Sequence, residues 1–120
     1  MKRYDVLLED WDKVLSFFSH HLGIYEIDLE GVLFLIGINV LGKGPEKFNK
    51  REKMEIIHIA VCELLVPFGY YERVSFSHVD WPVYRAKRPL PALSITEQER
   101  LIKMAIIDYL QQEGLIDCND

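Results

Sequence analysis

Only two of the 120 residues are cysteine, Cys62 and Cys118, and that scarcity excludes the small disulfide-stapled scaffolds. Cys62 falls inside a predicted helix and Cys118 in the last few residues, so free thiols are expected rather than a structural disulfide. Long hydrophobic runs are also missing. The longest, Val32 to Leu41, has ten positions and contains Gly37 and Asn39, about half of the roughly 20 that a spanning helix needs. It predicts a core helix and no membrane association. A secretory signal pattern is lacking too, because Met1-Lys2-Arg3 runs into Tyr4-Asp5 and the acidic Glu9, Asp10 and Asp12 instead of an apolar stretch. The chain shows no internal repeat, no low-complexity tract and no motif of demanding chemical spacing, so no cofactor is expected. A cytoplasmic location follows as an expectation.

What is present is a globular composition. At 49% hydrophobic and 12% aromatic residues the chain is far from the disordered class, and its length suits one domain with one core. From Tyr4 to Leu22, the residues Leu7, Trp11, Val14, Leu15, Phe18 and Leu22 recur at helical spacing, and Gly23 ends the segment. Asp28 is placed to cap a second helix, Leu29 to Leu41, closed by Gly42 and Gly44. A linker with Pro45 leads to Asn49, with Glu52 at capping-box spacing, and a third helix of about Lys50 to Val66. Alternation then sets in: Tyr70, Glu72, Val74 and Phe76 against Tyr71, Arg73 and Ser75, a turn from Ser77 to Pro82, and a second extended run, Val83 to Arg88. Ser94 and Glu97 open a last helix that reaches about Gln112 before Gly114. The predicted fold is mainly α, a four-helix domain with one β-hairpin inserted between helices 3 and 4.

Two features point beyond a self-sufficient monomer. The second and third helices are each apolar over most of their circumference, which is more than a four-helix chain of this length encloses. A lone hairpin is marginal in water and must pack on helices or extend a sheet elsewhere. Together they predict a symmetric homodimer.

Charge is unevenly placed. Residues 1–42 and 89–120 each carry −4, whereas residues 43–88 carry +3. Lys43, Lys47, Lys50, Arg51 and Lys53 surround the start of the third helix, and Arg73, Arg85, Lys87 and Arg88 lie in the hairpin. Unpaired N–H groups at a helix start beside basic side chains can hold an anion, phosphate being the natural guess. The alternative is a solvated basic loop interleaved with Glu46, Glu52 and Glu72. A helix followed by a basic hairpin also has the order of a winged-helix nucleic-acid binder. Glu55 and Glu63 on that helix, and the net charge of −5, oppose the reading.

Glu55, His58 and Cys62 fall within about 60° on the third helix and are all metal-ligand types, which makes a metal-binding or small-molecule enzyme a further alternative. Only one copy of the Glu-x-x-His spacing exists, so a core-edge histidine beside a buried thiol is the expected arrangement. His20 and His21 close the first helix, where positive charge suits the carbonyl end. Tyr70, Tyr71, Trp81 and Tyr84, with Phe76, either face a ligand or partner or pin the hairpin to the helices.

The stretches Gly42-Lys43-Gly44, Lys50-Arg51-Glu52-Lys53-Met54, His58-Ile59-Ala60-Val61-Cys62, Gly69-Tyr70-Tyr71 and Asp80-Trp81-Pro82 resemble a small uncharacterised bacterial protein family with no assigned activity. The resemblance covers about residues 30 to 88, implies a bacterial cytoplasmic protein and adds no catalytic residue. The functional expectation is a non-enzymatic interaction protein that self-associates through its second or third helix, with the basic and aromatic residues as a second surface for a protein or anionic partner.

Overall fold

A computed structural model describes residues 4–42, 47–74 and 81–117, with side chains from residue 7 onward. Four helices and one antiparallel hairpin follow in the expected order: α1 (Tyr4–Leu22), α2 (Leu29–Leu41), α3 (Lys50–Leu65), β1 (Tyr71–Val74), β2 (Val83–Ala86) and α4 (Ile95–Gln112). Lys43, Phe76, Cys118 and most of the predicted hairpin turn lie outside the described residues. The chain forms two compact units, Met1–Ile27 with Ala92–Asp120, and Asp28–Pro91.

The first unit pairs α1 with α4. Leu7, Trp11, Val14 and Phe18 are buried on α1, and Ala105, Ile106, Ile107 and Leu110 on α4, as the helical period requires. The Lys103 ammonium sits over the Trp11 ring, 5.2 Å from its centroid. Ser94 and Glu97 complete a reciprocal capping box at the start of α4.

The second unit packs α2 on α3 and α3 on β1. Asp28 caps α2 by accepting the Gly31 N–H at 2.8 Å, and Gly42 ends the helix in the left-handed region at φ 66°. The two helices touch at Gly37. A Cβ there would lie 2.5 Å from the Ile56 Cγ2 and would overlap the Ile56 carbonyl, so the hydrogen of glycine sets the approach of the two backbones.

Burial separates the two apolar helices. In α3, Ile56, Ile59, Ala60, Cys62, Leu64 and Leu65 are buried, and these positions go nearly all the way round the C-terminal half of the helix. The first turn and a half is solvated instead. In α2 the buried residues Val32, Leu33, Ile36 and Gly37 occupy one side only. At 100° per residue, Phe34, Leu35, Ile38 and Leu41 fall on the other side, each part-exposed, between the exposed Glu30 and Asn39. Phe48 meets Phe34 edge-on at 6.1 Å and covers part of this second face. The helix expected to be central is thus fully buried on one side and part-exposed on the other.

The strands pair with Tyr71 opposite Ala86, Glu72 opposite Arg85, Arg73 opposite Tyr84 and Val74 opposite Val83. The second strand stops at Ala86, two residues short of the predicted Arg88, although the Lys87 N–H still reaches the Tyr70 carbonyl at 2.9 Å.

Candidate functional site

The predicted anion surface begins at the start of α3. There the Asn49 N–H donates to the Glu52 carboxylate at 3.0 Å, and the Glu52 N–H donates to the Asn49 side chain at 2.8 Å. This capping box occupies two of the backbone donors at the helix start and places a carboxylate beside them. Arg51 pairs with Glu55, Nε to Oε1 at 3.4 Å. Lys47, Lys50 and Lys53 are exposed and make no ion pair among the described residues.

The hairpin arginines face their own unit. Arg73 donates from Nη2 to Glu63 Oε1 at 2.8 Å, and to the Tyr84 hydroxyl at 3.3 Å. Tyr84 in turn donates to Glu63 Oε1 at 2.5 Å. One carboxylate on α3 therefore ties down both strands. Burial and the bond to Glu63 push the Tyr84 hydroxyl pKa well above its ordinary range, because the ionised form would lose the donor and face a carboxylate. Arg85 pairs with Glu72 directly across the strands. The Arg88 guanidinium lies 4.2 Å from the Tyr70 ring centroid and donates to the Phe68 carbonyl at 2.6 Å. Gly69 takes φ 83°, in the left-handed region that favours glycine, and the Arg88 Nε lies 3.6 Å from where a Cβ would stand, an ordinary contact distance. Of the four hairpin cations only Lys87 makes no such contact among the described residues.

Two of the predicted aromatics, Tyr70 and Tyr84, make contacts within the unit. Tyr70, Tyr71, Trp81 and Tyr84 are all part-buried, with Tyr70 under Arg88 and Tyr84 bonded to α3.

Glu55, His58 and Cys62 share a helix face but not a binding site. Glu55 is turned to Arg51, while His58 Nε2 lies 3.5 Å from the Cys62 sulfur. Among the described residues no group of three or more His, Cys, Asp or Glu side chains is placed to hold a metal ion. Burial, followed by the charge of Glu63, pushes the Cys62 thiol up to about 11, so it stays protonated at neutral pH and is a poor nucleophile.

Sequence reasoning did not find a groove of about 360 Å³ in the first unit, where Phe17, His20 and His21 of α1 meet Leu115, Ile116 and Asp117. His20 Nδ1 lies 3.0 Å from the Ser16 carbonyl, and His21 stacks on Phe17 at 5.3 Å. The two histidines carry a signal, but their meeting with the segment after α4 is a long-range contact that spacing does not encode. Glu63 likewise shows in the sequence only as a charge opposing nucleic acid.

No family model, no curated protein and no solved structure matches the chain.

Proposed function

We propose that this chain is a non-enzymatic interaction protein of the cytoplasm that self-associates through the outer face of α2. The observation that carries the reading is the second apolar side of that helix, formed by Phe34, Leu35, Ile38 and Leu41 between Glu30 and Asn39. A helix apolar on two sides needs two partners, and α3 occupies only one side. Because the C-terminal half of α3 is buried nearly all round within the chain and its start is polar, α2 is the better candidate of the two for an interface. Two-fold pairing of identical faces is the simplest way to cover it.

The competing readings lose their chemistry to internal contacts. A winged-helix nucleic-acid binder needs outward cations on the wing, yet Arg73 and Arg88 are engaged within the unit, and Arg85, though exposed, already has Glu72 as a partner. An enzyme built on Glu55, His58 and Cys62 would start from an ion-paired acid and a protonated buried thiol. That free, buried thiol fits a reducing compartment.

Placement of a single cysteine tests the interface. In a Cys118→Ser background, Ile38→Cys treated with a short bis-maleimide is expected to give a covalent dimer, whereas Lys53→Cys in the same background gives none. Equal cross-linking at both positions, or none at position 38, contradicts the α2 interface.

A further inference from the structure

The hairpin has two edges, and they differ. Tyr70 and Lys87 form a hydrogen-bonded pair, since the Lys87 N–H meets the Tyr70 carbonyl at 2.9 Å. Bonded and non-bonded pairs alternate in an antiparallel ladder, so Glu72/Arg85 and Val74/Val83 are the bonded pairs within the strands. The backbone N–H and C=O groups of Tyr84 and Ala86 therefore point away from β1, along the outer edge of β2. The strand with the larger contact on α3 is β1, and β2 reaches that helix through the Tyr84 hydroxyl, on the face opposite Arg85. Val83, Arg85 and Ala86 are exposed, Val83 to 49%. Pro82 and Pro89 bracket the open stretch, because neither offers an N–H to extend pairing.

Charge selects what can fill this edge. Arg85 and Lys87 flank it on one face, and Glu72 is the one carboxylate paired with them among the described residues. The Arg85 side chain remains 70% exposed despite its bond to Glu72, so it can meet a second carboxylate. A second copy of this chain added across the edge would bring like charges together, which opposes self-pairing.

We infer that the outer edge of β2 receives an extended acidic segment of another protein as a third strand. Backbone bonds run to Tyr84 and Ala86. Asp or Glu at alternate positions meets Arg85 and Lys87, which lie on one face, and a β-branched or aromatic residue of the same register covers Val83. This surface is separate from the α2 face and does not depend on it.

A displayed library of random twelve-residue peptides, panned on the full chain, tests the inference. Enriched peptides are expected to alternate Asp or Glu with β-branched or aromatic residues. Their affinity should fall about tenfold in Ala86→Pro, which removes an outward N–H without touching the ladder, and by a smaller factor in Lys87→Glu. Methylating alternate peptide nitrogens gives a readout independent of how the variant folds: one set abolishes binding and the other is tolerated. No enrichment, enrichment of non-acidic peptides, or binding indifferent to both methylation sets overturns the inference and leaves the charges as a guard against edge pairing.

Discussion

Tyr84, Glu63 and Arg73 hold the second unit together at a single carboxylate oxygen. Tyr84→Phe keeps the ring but removes the hydroxyl that donates to Glu63, while Arg73 still neutralises the acid. The expected cost is about 1–2 kcal/mol, typical of a part-buried bond to a charged acceptor, measured by urea unfolding. The same tyrosine and Cys62 make stability depend on alkaline pH. Both groups are protonated in the folded state with pKa values raised above ordinary ones of 10.0 and 9.0. Their contribution is therefore complete below about pH 9 and is lost as pH rises, for Cys62 between 9.0 and about 11 and for Tyr84 from 10.0 upward. The free energy of unfolding should hold level to pH 9 and then decline. In Tyr84→Phe the part of the decline that begins above pH 10 should be missing, and an unchanged slope would contradict the hydroxyl's role.

Between α2 and α3, the helix elements meet at one glycine. Gly37→Ala drives a methyl group into the Ile56 carbonyl and its Cγ2, so the helices must separate or the backbone must shift. A loss of about 1–3 kcal/mol in thermal or urea unfolding is expected, and a neutral or stabilising result would contradict the close approach. Helices of this kind were legible in the sequence because their signals are local. Asp28, Asn49 and Ser94 each bond an N–H three residues on, and Gly42 closes α2, so the boundaries follow from residue types at short range. The hairpin was legible by alternation. Its ties were not, because Glu63 lies ten residues from Arg73 and 21 from Tyr84, and charge counting cannot tell a paired arginine from a free one. The same blindness made α2 and α3 look alike. Periodicity reports that both are apolar over most of their circumference, but only packing distinguishes a helix buried nearly all round its C-terminal half from one fully buried on a single side.

For the whole molecule, the units redistribute the charge. Met1–Ile27 with Ala92–Asp120 holds 5 basic and 11 acidic side chains, and Asp28–Pro91 holds 9 and 8, so the basic centre becomes nearly neutral once α2 is counted with it. Long-range attraction to nucleic acid is correspondingly weak, and association through the apolar face of α2 should respond little to salt. The central claim is that this face is covered by a second copy. Light scattering on the purified chain at micromolar concentration, beside Ile38→Glu with unchanged helical circular dichroism, tests it most directly. The account predicts twice the 14.1 kDa chain mass for the native protein and the monomer mass for the variant. A native protein that remains a monomer, or a variant that remains a dimer, would contradict it.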